Sequence, residues 1–140
     1  MTAAQAMTLR AIGVVRSAIS DPAAAPKQGD EDGPEAWLDL EPEFAAGLAE
    51  LAPGDGLWLL TWLHLAERDV LRVHPRGDAE RPLTGVFATR SPARPNPVGL
   101  HRVTVLAVAG ASLRVAPLEA VDGTPLIDIK PVMDSEVSSR

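Results

Sequence analysis

Arg90, Arg94 and Asn96 stand in the segment Gly85-Val-Phe-Ala-Thr-Arg-Ser-Pro-Ala-Arg-Pro-Asn-Pro-Val-Gly-Leu100, whose prolines give them their chemical potential. Pro92, Pro95 and Pro97 fix φ and supply no N–H, so the segment is neither a central strand nor a helix interior. The residue ahead of each proline is pushed toward extended geometry. The expectation is a stiff loop that presents two guanidiniums and one carboxamide in nearly constant directions. Forked guanidiniums suit carboxylates and phosphates, and a carboxamide oxygen can accept from an amine. A second polar group lies in Asp122-Gly-Thr-Pro-Leu-Ile-Asp-Ile-Lys-Pro131. On an extended strand Asp128 and Lys130 share one face, while Ile127 and Ile129 turn toward the core. Alone, that pair reads as a surface ion pair of little energetic worth. Together with the proline-rich loop, it reads as half of a shared site.

Composition narrows the chemistry. With no cysteine in 140 residues, disulfides, zinc–thiolate centres and thiol nucleophiles are excluded from this sequence. His64, His74 and His101 form no HxxxH or HExxH pattern, so no metal is expected. Neither a glycine-rich dinucleotide fingerprint nor a P-loop is present, and Ser91 lacks the GxSxG setting of a hydrolase nucleophile. The first ten residues lack a basic stretch leading into an apolar core, and Leu57–Leu65 is too short to cross a bilayer. A cytoplasmic protein with no membrane partner is expected. The net charge of −6 is uneven: residues 1–67 carry 3 basic against 11 acidic groups, whereas residues 68–102 carry 7 arginines against 3 acids.

The elements that must position these groups are short. Leu9–Ile19 reads as a first strand, Trp37–Leu40 as a second and Leu57–His64 as a third. Val70–His74 alternates, and Leu83–Ala88 leads into the proline loop. Val98–Ala109 reads as a long strand that turns at Ala109-Gly110-Ala111 into Ser112–Leu118, and Leu126–Ile129 forms the last strand. Glu41–Leu51 is the one helix, with Pro42 at its first position and Phe44, Leu48 and Leu51 on one face. Ser20–Pro34 is a polar loop. Trp37, Trp58 and Trp62 are expected in the core. Short strands without βαβ alternation predict a mainly β fold, a small single-sheeted and mostly antiparallel β-barrel with one short helix. One domain spans 1–140, with its core at about 8–133.

GVFATRSPARPNPVGL at 85–100 and DGTPLIDIKP at 122–131 resemble, nearly residue for residue, the signature blocks of the TrmO family, also called TsaA-like or VirR-like. Weaker matches are Ile12–Arg16, Leu57–Leu60 with His64, and Pro26-Lys27-Gln28. The resemblance implies a β-barrel methyltransferase that uses S-adenosylmethionine and forms a homodimer. Its acceptor would be tRNA, at N6 of a modified adenosine beside the anticodon; the C-terminal extension of two-domain members is absent from these 140 residues. By motif position, Gln28, His64, Leu65, Arg90, Leu100, Thr124, Pro125, Leu126, Ile127 and Asp128 would line the cofactor pocket. Asn96 and Asp128 would accept hydrogen bonds or the proton from the amine. Arg94 and Lys130 would hold phosphates or the charged modification. A small-molecule methyltransferase and a non-catalytic S-adenosylmethionine-binding regulator are the alternatives.

Overall fold

The computed structural model describes residues 5–20 and 33–137, so Gln28 and most of the expected polar loop lie outside the described residues. Six strands close into a barrel: β1 (Gly13–Arg16), β2 (Ala36–Leu40), β3 (Gly56–Trp62), β6 (Val98–Ala109), β7 (Ser112–Ala116) and β8 (Pro125–Pro131). Their order around the barrel is β1-β2-β7-β6-β3-β8, with antiparallel neighbours throughout. The mainly β, antiparallel barrel expected from the sequence is the observed fold. A two-stranded ribbon, β4 (Arg72–Val73) with β5 (Thr84–Gly85), stands apart on the excursion between β3 and β6.

Period-2 alternation fills the interior. Leu57, Leu59 and Thr61 point inward from β3, Val103 and Val105 from β6, and Leu113 and Val115 from β7; each is at most 1% exposed. The β6–β7 hairpin closes over two residues because Gly110 takes φ +62° at the first central position, a conformation available to glycine at little cost.

Several elements differ from the sequence expectations. The first strand is shortened to Gly13–Arg16, the third ends at Trp62, and the ribbon keeps only two residues per strand. The helix is a 3-10 helix over Pro42–Leu48, held by i→i+3 bonds such as Phe44 N–H to Glu41 O at 2.9 Å. Glu41 provides no side-chain cap, and Glu50 at φ +74° turns the chain just beyond, so too few residues remain for an extended α-helix. An α-helical turn, α1 (Asp134–Val137), follows β8. A β-bulge separates the pairs Leu60–Asp128 and Thr61–Leu126 and leaves Ile127 between them. Leu126 and Ile129, three residues apart, therefore contribute to the core, whereas Ile127 is only half-buried beside it.

The tryptophans are also placed differently. A six-stranded barrel has room inside for leucine and valine but little for indoles. Trp58 and Trp62 share a face as expected, but it is the one opposite Leu57 and Leu59. Arg102 stacks over Trp58 at 5.7 Å, Arg68 over Trp62 at 4.9 Å and Arg16 over Trp37 at 5.3 Å. No helix among the described residues is long and apolar enough to cross a membrane.

Candidate functional site

The end of β3, the start of β6 and the β7–β8 link surround one mouth of the barrel. Between them is a cleft of about 590 Å³, within the ordinary range for small-molecule sites. Leu63 to Glu67 form one side and Arg90, Pro92 and Ala93 of the proline loop another. Gly99 to His101 line it from β6, and Glu119 to Val121 with Thr124 complete it.

The proline loop is held against the β3 end by backbone polar groups. Leu63 N–H donates to Pro97 O at 2.8 Å and Arg94 N–H to Glu67 O at 3.1 Å. Arg68 Nε donates to Pro95 O at 2.8 Å and its Nη2 to Asn96 Oδ1 at 3.2 Å. The Arg94 guanidinium turns into its own loop, donating to the carbonyls of Val86 at 2.7 Å, Ser91 at 3.0 Å and Thr89 at 3.1 Å. Arg94 thus acts as an internal brace, while Arg90 in the same loop is exposed and lines the cleft.

The β7–β8 turn is similarly tied down. Thr124, 2% exposed, donates through Oγ1 to Val121 O at 2.6 Å. Asp122 accepts from Ser17 N–H at 3.0 Å, and Ser17 Oγ donates to Ala120 O at 2.6 Å. These bonds set the height of Ala120, Val121 and Thr124 on the cleft wall.

Five residues assigned by motif position to the cofactor pocket meet here: His64, Leu65, Arg90, Leu100 and Thr124. Pro125, Leu126 and Ile127 continue from Thr124 into β8 but do not line the cleft. Asn96, Arg94, Asp128 and Lys130 do not line it either. Asp128 lies opposite Leu60, itself opposite Leu100, so two strand spacings, about 10 Å, separate Asp128 from the cleft rim. Its carboxylate accepts from Ile129 N–H at 2.9 Å and stands 3.7 Å from Lys130 Nζ, in an ion pair with both side chains at least half exposed.

Glu67, Glu119 and His101 also line the cleft and were not among the residues expected there. The two glutamates come from connections with no motif of their own. His101 had a readable signal, because it follows Gly99 by two residues on the inward face of β6. Its Nε2 is 2.8 Å from Thr61 Oγ1, and burial pushes its pKa down to about 4, so the imidazole is neutral at pH 7. Among the described residues, no group of three or more histidines, aspartates and glutamates is arranged to hold a metal ion.

The model of the tRNA-methyltransferase O N-terminal domain matches residues 14–136, nearly the whole barrel. The chain belongs to this family. A protein of Methanothermobacter thermautotrophicus named as a probable S-adenosyl-L-methionine-binding protein is 49% identical over 123 residues, 88% of each chain. An Archaeoglobus fulgidus protein named as an S-adenosyl-L-methionine-binding protein is 43% identical over 124 residues, covering 89% of this chain and 88% of the relative. The crystal structure of TrmO from Pseudomonas aeruginosa superposes with a TM-score of 0.76 at 28% identity, covering 94% of this chain. This chain spans 58% of that TrmO chain, so the similarity concerns the family's barrel and not the rest of the longer protein.

Proposed function

We propose that the chain binds S-adenosylmethionine in the cleft at the barrel mouth and transfers its methyl group to N6 of a modified adenosine in tRNA. The observation that carries this reading is the convergence of His64, Leu65, Arg90, Leu100 and Thr124, from four separate segments, on one cleft of suitable size. Relatives named for S-adenosylmethionine binding, aligned over most of their length, support the choice of ligand.

The residues present fit that ligand. Arg90 offers a forked donor for its carboxylate. Glu67 and Glu119 offer negative charge to its ammonium and sulfonium groups, and Leu63, Leu65, Leu100 and Val121 offer apolar surface to its base and ribose. Neutral His101 adds no cation to oppose the sulfonium. When bound, the group supplies an electrophilic methyl on sulfur. The chain's part is to hold the acceptor amine in line with that methyl and to accept its hydrogen bonds, which localises the nitrogen lone pair. Asn96 Oδ1, already directed by Arg68, is our first candidate to accept the amine's hydrogen bond, and the Asp128 carboxylate the second, also able to take the proton that the nitrogen loses as the methyl leaves sulfur. Lys130 lies beside Asp128 for a phosphate or the charged modification, and Arg94 acts by holding the loop in shape.

Asp128 and Lys130 stand on the outer sheet face with Leu60, Val98 and Leu100, the last two 37% and 44% exposed. We assign this face to a homodimer contact, which would cover apolar surface and set one copy's outer face beside a cleft. The position of all four acceptor-site residues outside the cleft favours a second reading, binding of S-adenosylmethionine without methyl transfer. Incubation with methyl-labelled S-adenosylmethionine and either total tRNA or a metabolite extract decides between them. Labelled tRNA is the expected product; labelled metabolite would move the acceptor to a small molecule. Tight binding without labelled product would favour the second reading.

A further inference from the structure

His101 on the cleft lining is paired with a buried threonine behind it, and the proposed reaction does not use that pair. Thr61 is fully buried, one of two buried polar residues among those described. Its hydroxyl meets His101 Nε2 at 2.8 Å. Gly99 leaves the space for this bond, since a Cβ there would overlap Thr61 Oγ1 and His101 Nε2.

The bond has two possible senses, and burial separates them. If Nε2–H donated to Thr61, the hydrogen of this fully buried hydroxyl would be left without an acceptor among the described residues, a costly arrangement. If Thr61 donates to Nε2, its hydrogen is satisfied and the neutral ring must carry its proton on Nδ1. His101 lines the cleft, so the ring stands there as a neutral N–H donor. Glu67, Glu119, Arg90 and His64 are the other ionisable groups on that cleft, and the first three carry charge suited to the charged parts of the ligand. An uncharged donor on the lining is suited to an uncharged acceptor.

We propose that the Thr61–His101 pair, made possible by Gly99, is a specificity device whose Nδ1–H donates to a ring nitrogen of the adenine of S-adenosylmethionine. The proposal rests on the binding reading above. It gives Thr61 a positioning role, because Thr61 acts only through His101.

Long-range ¹H–¹⁵N NMR on histidine-labelled protein tests the tautomer without ligand, with His101→Phe assigning the signals. The expected result at pH 7 is a pyridine-like Nε2 and a protonated Nδ1, a preference that Thr61→Val abolishes. Calorimetry tests the ligand contact. His101→Phe should weaken S-adenosylmethionine about 10-fold, the worth of one neutral hydrogen bond, and His101→Asn should recover part of that loss. Of the 1-deaza, 3-deaza and 7-deaza analogues, one should bind wild type about 10-fold more weakly than the parent, yet show no further loss in His101→Phe. A protonated Nε2, unchanged affinity in His101→Phe, or equal binding of all three analogues by wild type would overturn the proposal. Absence of any binding by wild type would instead overturn the S-adenosylmethionine reading itself. Thr61→Val, close in shape to the native residue, keeps the tautomer test decisive should His101→Phe fold poorly.

Discussion

At one end of the barrel the 3-10 helix Pro42–Leu48 packs Leu48 into the core and Phe44 against it, with Leu51 just beyond, beside Leu40 of β2 and Ile129 of β8. At the other, the connecting segments stand back and leave a cleft edged by Arg90, Glu67, Glu119 and His101. The helix-capped, closed end has a smaller recess of about 440 Å³, lined by Ile12, Leu40, Phe44, Leu48, Leu51, Leu57 and Ile129 with Glu43 and Asp128. Glu43 is engaged by Arg10 at 3.1 Å, and Asp128 by Lys130. Both ends use the same strands, so the difference comes from their connections. At one end a single connection brings an apolar face; at the other, three connections bring the braced loop, Glu67 and Glu119. Stability should therefore depend more on the closed end, and recognition on the open end.

That division can be broken from either side. Leu48→Ala removes a side chain 5% exposed at the closed end. It should cost about 3 kcal/mol in urea unfolding while leaving ligand affinity of the folded protein within about twofold. A comparable loss of affinity would erase the distinction between the ends.

The open end should carry a pH signature of similar size. Burial lowers the His101 pKa from 6.5 to about 4 in the folded state. Between those values the unfolded chain binds a proton that the folded chain refuses, so stability falls as pH drops from about 6.5 to 4, by roughly 3 kcal/mol. Glu67, Glu119, Arg90 and His64 share that cleft, so the measurement is the difference between wild type and His101→Phe. Urea unfolding across this range should give a flatter profile for the variant, and identical profiles would contradict the burial of His101.

Arg90→Ala should weaken S-adenosylmethionine by about 2 kcal/mol in calorimetry, the worth of a charge-assisted bond, with no change in melting because the side chain is exposed. The smallest effect expected is in Asn96→Ala. It should slow methyl transfer about tenfold with cofactor affinity unchanged, since Asn96 lies off the cleft. Retention of full turnover would remove Asn96 from the reaction.

How much of this was legible in the sequence depends on whether a feature is local. The limits of β6 and its hairpin with β7 follow from alternation and Gly110, and the structure places β6 at the expected residues. The cleft grouping of His64, Leu65, Arg90, Leu100 and Thr124 could be read from motif position because each contributes from a fixed point on a strand end or turn. The brace made by Arg94 could not, because it depends on how the loop curls three carbonyls around one guanidinium. The bulge at Ile127 was hidden because alternation assumes an unbroken register. The outward tryptophans were hidden because residue type signals burial but not the volume a six-stranded barrel has available. Glu67 and Glu119 could not be chosen, since only the closed fold brings their connections to the same mouth.

The most direct test of an open end that binds ligand and a closed end that does not is backbone NMR during titration with S-adenosylmethionine. Chemical-shift changes should concentrate at residues 63–67, 90–93, 99–101 and 119–124, with Phe44, Leu48 and Leu51 unmoved. No change at millimolar ligand, or changes centred on the 3-10 helix and Ile129, would contradict that division.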